Sequence, residues 1–115
     1  VDLSSEMLKK AKARAIYDEL RQGEVVEQLE LAAAAAETYE LIVAVDVFCY
    51  LGELDTVLRM ARKVLAPSGH LRPMVAFSVE ASKSTSGSYS LNEGTGRYQH
   101  TDHYVKRSLE NASFQ

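Results

Sequence analysis

The sequence has no tryptophan, two prolines and a single cysteine among its 115 residues. Cys49 has no partner for an internal disulfide, so we expect a fold that depends on its apolar core and a reducing, cytoplasmic setting. No apolar run reaches the roughly 20 residues that a transmembrane helix needs, and we expect no association with a membrane. A basic stripe is missing too, because the 13 lysines and arginines are interspersed with 16 acidic residues. Nucleic acid is therefore not an expected partner.

Length and composition indicate one ordinary folded domain. Apolar residues make up 46% of the chain and charged residues 25%, which is typical of a globular protein and not of a disordered one. The chain is long enough to bury a modest core and too short for two domains. Its three histidines have no metal-ligand spacing with the cysteine or with carboxylates, so we expect no metal.

Helical and strand-like patterns alternate along the chain. Helical periodicity is found in residues 4–15, 29–39, 55–65 and 103–112, the last with Thr101 or Asp102 as its cap. Strand-like apolar runs are found in residues 24–27, 41–45 and 74–80. This alternation predicts an α/β fold with a parallel sheet. The run 41–45 is apolar throughout, which predicts burial on both faces, and the serine-rich residues 81–96 predict a flexible connection.

A carboxylate follows each of several apolar runs. The residues are Asp2, Glu27, Asp46 and Glu80. In open α/β sheets, ligands bind at the carboxyl ends of the strands, so these side chains are candidates for a ligand site. Loops between strands and helices also carry acidic helix caps, and each carboxylate alone has that plainer interpretation.

Three segments in this order and spacing resemble class I S-adenosylmethionine-dependent methyltransferases: VDLSSEMLKKAKAR, YELIVAVDVFCYLGELDTVLRMARKVLAPSGH and VAFSVE. The ending GRYQHTDHYVKRSLENASF is similar to bacterial methyltransferases associated with tetratricopeptide repeats, although no repeat is present. The resemblance covers nearly the whole chain. It implies a Rossmann-like parallel sheet flanked by helices, S-adenosyl-L-methionine as cofactor and a small-molecule methyl acceptor. It matches residues 1–115 to part of one domain, with the first strand and glycine-rich loop expected before Val1 and a final hairpin after Phe114.

The resemblance also implies roles for particular residues. Asp2 matches the residue that holds the ribose hydroxyls, with Leu3 against the adenine, and a carboxylate suits a vicinal diol because it accepts two hydrogen bonds. Glu27 matches the acidic residue that follows the third strand and accepts from the adenine amino group. Asp46 and Val47 end the fourth strand, beside the methionyl part. Glu27 and Asp46 each keep the alternative interpretation of a helix or loop cap.

His100 and Tyr104 are the candidates for orienting or deprotonating the methyl acceptor. Tyr104 has the alternative interpretation of a core-facing helix residue. The protein needs no nucleophile of its own, since placing the acceptor in line with the methyl group provides most of the rate. Cys49, without a basic neighbour in sequence, is not expected to be reactive.

In the family the first strand lies between the second and the fourth. A chain without it is expected to have a gap with unpaired backbone groups on both sides and to bind cofactor poorly, unless other residues or an oligomer complete the sheet. The alternative function is therefore a non-catalytic methyltransferase-like interaction module or an inactive fragment. A third possibility is half of a nicotinamide-binding Rossmann domain. This interpretation explains the sequence of residues 43–54 less well, and we place it last of the three.

Overall fold

The computed structural model describes the whole chain, residues 1–115, as four α-helices and five short strands. The helices are α1 (Ser5–Arg14), α2 (Val25–Ala34), α3 (Asp55–Val64) and α4 (Asp102–Asn111). The strands are β1 (Leu41–Ala44), β2 (Met74–Phe77), β3 (Glu80–Ala81), β4 (Tyr89–Asn92) and β5 (Arg97–His100). A single 3₁₀ turn, Phe48–Tyr50, lies between β1 and α3. None of the helices has the length and apolar character needed to span a membrane.

β1 and β2 form a parallel pair joined by α3. Leu41 lies opposite Met74, and Ala44 lies opposite Phe77. β2 begins directly after Pro73, as the sequence predicts, because proline has no N–H to donate within a central strand. The remaining strands form a separate three-stranded sheet in the order β3-β5-β4. The mixed helices and strands and the small parallel sheet are compatible with part of a Rossmann-like fold.

The core lies between α3, α4 and one face of the parallel pair. Helix α3 has apolar residues at helical spacing, and its buried side chains are Val57, Leu58, Ala61 and Val64. The ring of Phe48 packs 4.7 Å from that of Phe77, centroid to centroid, which joins the 3₁₀ turn to β2. Tyr104 from α4 and Ala112, which follows α4, complete the main cluster. The segment after β1 is thereby fixed from both sides, by β2 and by α4.

The opposite face of β1 is uncovered. Ala44 is 6% exposed, whereas Val43 and Val45 on the other face are 61% and 64% exposed. The prediction that residues 41–45 are buried on both faces is therefore wrong. The core cluster covers one face, and no helix of this chain packs on the other.

β1 also has a free edge. The carbonyls of Glu40 and Ala44 accept hydrogen bonds from β2 and the residue that follows it. In a parallel ladder alternate residues face the partner strand, so Leu41 and Val43 direct their main-chain groups to the other side, where no strand is paired. β1 is thus paired with a strand on one edge only.

The predicted strand at residues 24–27 is wrong, because these residues begin α2. The carboxylate of Glu24 caps the helix and accepts from the N–H groups of Val26 and Glu27 at 2.8 and 3.1 Å. This cap and the alanine-rich continuation favour a helix over the β-branched pair Val25–Val26. The extended segment lies earlier, where Gln22 forms a parallel bridge with Asp2.

Part of the serine-rich segment is also more ordered than the sequence predicts. β4 and β5 form an antiparallel hairpin with Tyr89 opposite His100 and Asn92 opposite Arg97. Its turn closes with Gly96 at φ 69°, a left-handed conformation that glycine adopts without strain. The prediction of a flexible connection is therefore wrong for residues 89–96.

Candidate functional site

Asp46 follows β1 in a constrained backbone conformation. Its φ is 55°, in the left-handed region that non-glycine residues enter at a cost of about 1–2 kcal/mol. Its N–H donates to Ser78 Oγ at 2.9 Å, and the N–H of Ser78 donates to Ala44 O at 3.1 Å. The exposed carboxylate accepts no hydrogen bond, so Asp46 does not act as a helix cap. Strained residues held in this way are concentrated at functional sites.

Asp2 lies in the short parallel bridge with Gln22. Its N–H donates to Arg21 O at 3.1 Å, and its carbonyl accepts from Gly23 N at 3.1 Å. One carboxylate oxygen, Oδ1, accepts from Ser4 N at 2.8 Å, while Oδ2 has no hydrogen bond. Leu3 beside it is 69% exposed. Asp2 thus keeps a free acceptor next to an exposed apolar side chain.

Glu24 occupies the position that the sequence reasoning gave to Glu27. Glu27 lies in the first turn of α2, exposed, and does not follow a strand. Glu24 directly follows the segment Gln22–Gly23 that pairs with Asp2. The signal that sequence reasoning missed is Gly23, which marks the end of the extended segment immediately before a carboxylate.

His100 and Tyr104 are buried, at 1% and 3% exposure. His100 Nε2 lies 3.0 Å from Gly52 O, and because a carbonyl only accepts, Nε2 is the donor. Nδ1 is buried with no hydrogen-bond partner. The hydroxyl of Tyr104 accepts from Leu54 N at 2.9 Å. Both side chains hold the segment between β1 and α3, and neither is exposed to a substrate.

The candidate residues fall into two groups. Asp2, Leu3 and Glu24 surround the bridge to Gln22, and Asp46 with Val47 lies at the end of β1. No hydrogen bond or ion pair joins Asp2 to Asp46. Glu80 belongs to neither group, because its carboxylate pairs with Arg97 at 3.0 Å.

A surface groove lies elsewhere. It is an open groove of about 550 Å³ between α1 and residues 17–22, lined in part by Lys9, Lys12 and Tyr17. Neither Asp2 nor Asp46 lines it. Nor do histidine, cysteine and acidic side chains gather anywhere into a metal-binding group.

The acceptors present fit the cofactor that the resemblance implies. A ribose diol donates hydrogen bonds, and Asp2 has one carboxylate oxygen free to accept them. A sulfonium and an α-amino group are cationic, and Asp46 places an unpaired carboxylate at the end of β1.

A family model described as a methyltransferase domain matches residues 1–71, more than half of the chain. The match includes Asp2, Glu24 and Asp46. No curated protein and no solved structure matches the chain. On the family match, the chain belongs to the S-adenosylmethionine-dependent methyltransferase domains.

Proposed function

We propose that this chain forms the cofactor-binding part of a methyltransferase that acts on a small-molecule acceptor. Asp46 carries the proposal. It is a left-handed, exposed residue at the carboxyl end of a parallel strand, held by Ser78 and with its carboxylate unpaired. A backbone held in this conformation suits a carboxylate that is presented to a ligand.

The chain's residues have distinct tasks in this proposal. When bound, S-adenosyl-L-methionine supplies a methyl group that is already electrophilic. Asp2 accepts hydrogen bonds from the ribose hydroxyls, and the exposed side chain of Leu3 provides an apolar surface for the adenine. Glu24 accepts from the adenine amino group. Asp46, with Val47 beside it, attracts the cationic methionyl end, so the protein acts mainly by placing the reactants.

A calorimetric titration with S-adenosylhomocysteine tests the proposal. Asp2→Asn keeps an oxygen to accept from Ser4 N–H but removes the charge, and we expect it to weaken binding about 10- to 100-fold, the value of a hydrogen bond to a charged group. Asp18→Asn, at an exposed carboxylate without a hydrogen bond, is the matched control and should bind as the wild type does. Equal binding by the Asp2→Asn variant would contradict the assigned role.

A second pair of variants distinguishes the two candidates for the adenine contact. Glu24→Gln keeps a side-chain oxygen to cap α2, and Glu27→Gln changes a neighbouring exposed carboxylate on the same helix. Weaker binding of S-adenosylhomocysteine by the Glu24→Gln variant alone is the expected result. Weaker binding by the Glu27→Gln variant alone would assign the adenine contact to Glu27.

The free edge and uncovered face of β1 favour a second candidate function, a non-catalytic module for association. We propose that a further strand pairs with this edge, supplied by other residues of the protein or by a second copy of the chain, within the cytoplasm. Val43 and Val45 would be covered in the process. A folded chain that self-associates and does not bind S-adenosylhomocysteine would favour this function over the enzyme.

A further inference from the structure

Two side chains from the junction of β5 and α4 hold the backbone that follows the candidate cofactor site. His100 Nε2 donates to Gly52 O at 3.0 Å, and Tyr104 Oη accepts from Leu54 N at 2.9 Å. Their partners lie 48 and 50 residues away in sequence. We call His100 and Tyr104 the loop clamp, and the backbone that they hold the Phe48–Leu54 segment.

Aromatic packing makes the loop clamp rigid. The rings of His100 and Tyr104 stack at an interplanar angle of 11°, and the ring of Tyr89 lies 5.4 Å from that of Tyr104. Gly52 fits against this cluster only because it has no side chain. A Cβ there would lie 2.6 Å from Tyr89 Cε2 and 3.0 Å from Tyr98 Cε1.

The loop clamp has no free group for proton transfer to a substrate. The Nε2 hydrogen of His100 is used by Gly52 O, and Nδ1 is buried. Tyr104 is 3% exposed and its hydroxyl oxygen is engaged with Leu54 N–H. These contacts are those of side chains that fix a backbone.

The Phe48–Leu54 segment begins two residues after Asp46. Phe48 is 1% exposed, and the N–H of Tyr50 donates to Val47 O at 3.1 Å, so displacement of the segment would move Val47. A left-handed residue such as Asp46 persists only when the structure on both sides fixes it. Ser78, the residue after β2, does so from one side, and the Phe48–Leu54 segment does so from the other.

We propose that His100 and Tyr104 are positioning residues for the cofactor site, and that they act through the Phe48–Leu54 segment on Asp46 and Val47. The proposal rests on the proposed function. In this proposal His100 and Tyr104 do not exchange a proton with the substrate. They hold the backbone that presents Asp46. The loop clamp therefore affects how tightly the methionyl end is held.

The test compares two substitutions of His100 whose side chains differ in length. In His100→Gln the terminal amide reaches the place of Nε2 and can still donate to Gly52 O, whereas in His100→Asn it ends near Nδ1 and cannot. We expect His100→Asn and Tyr104→Phe to weaken binding of S-adenosylhomocysteine about tenfold or more, and His100→Gln to restore most of the affinity. His103→Asn, on the exposed side of α4, is the control and should bind as the wild type does.

Titrations are made at a temperature where circular dichroism shows every variant to be folded, so that lost stability alone does not change the affinity. Amide exchange at Leu54 without ligand provides a second readout, and Tyr104→Phe should accelerate it while α1 exchanges unchanged. Wild-type affinity in His100→Asn, or unchanged exchange at Leu54 in Tyr104→Phe, would overturn this proposal and leave the proposed function intact. A folded wild type that does not bind would refute the proposed function and this proposal with it.

Discussion

Two buried hydroxyls on one helix should respond to removal in opposite ways. Ser108 in α4 is 0% exposed, and its Oγ has no hydrogen-bond partner. Thr101 caps the same helix at 4% exposure, with Oγ1 accepting from Tyr104 N at 3.2 Å and donating to Gly87 O at 3.0 Å. We expect Ser108→Ala to stabilise the protein and Thr101→Ala to destabilise it.

The magnitudes follow from these contacts. A buried hydroxyl without a partner costs about 1–3 kcal/mol, and alanine is the better helix former by about 0.5 kcal/mol. The small void left by the oxygen subtracts a few tenths of a kcal/mol. Ser108→Ala should therefore add about 1–2 kcal/mol to the free energy of unfolding, or about 4–8 °C to the midpoint. Thr101→Ala loses a cap and leaves two backbone groups unpaired, at a cost of about 1–3 kcal/mol.

Urea unfolding followed by circular dichroism measures both changes on one scale. The comparison is internal, because both variants remove a buried hydroxyl from the same helix. A Ser108→Ala variant that unfolds at a lower urea concentration than the wild type would contradict this prediction, since it would mean that the hydroxyl forms a hydrogen bond. A Thr101→Ala variant with the free energy of unfolding of the wild type would show that the cap does not stabilise α4.

Three further predictions concern other parts of the molecule. Asp46→Gly should raise the free energy of unfolding by about 1 kcal/mol, because glycine adopts the left-handed conformation without penalty. The same variant should bind S-adenosylhomocysteine more weakly. A lower free energy of unfolding in urea would contradict the first expectation. The hydrogen bonds from Arg21 lower the pKa of the Glu37 carboxyl from its usual 4.5, so the stability that it contributes is present above that value and is lost as the pH falls through the lowered pKa. The bond to Glu37 likewise raises the pKa of Tyr39 above 10.0, and that contribution is lost as the pH rises through the raised value. Glu37→Gln should flatten the stability profile at both extremes in urea titrations, and an unchanged profile would exclude this network as the cause. Val43→Lys, at an exposed position on β1, should reduce any concentration-dependent association seen by sedimentation, and a wild type that is monomeric at all concentrations would contradict a role for this face in self-association.

Local signals in the sequence were sufficient for some elements. The spacing of apolar residues over 55–65 predicts a helix with one apolar face, and the structure has Val57, Leu58 and Val64 buried on α3. Thr101 was named as one of two candidate caps because of its side-chain chemistry, and its Oγ1 does cap α4. Such features depend on neighbours within one turn, which a single sequence contains.

Features that depend on distant residues were not predictable in this way. The exposure of Val43 depends on what covers the sheet, and the apolar run itself does not indicate that one face is bare. Val25 and Val26 favour a strand by propensity, and the cap from Glu24 outweighs that preference. The contacts of His100 and Tyr104 join residues about 50 positions apart, and no local pattern marks them.

We propose that Asp2, Glu24 and Asp46 bind S-adenosylmethionine. The test is to record the amide chemical shifts of the labelled chain while S-adenosylhomocysteine is added. We expect the largest changes at Asp2–Ser4, at Gly23–Glu24 and at Asp46–Val47. A folded chain with no shift changes, or with changes confined to the groove beside Lys9 and Lys12, would contradict it.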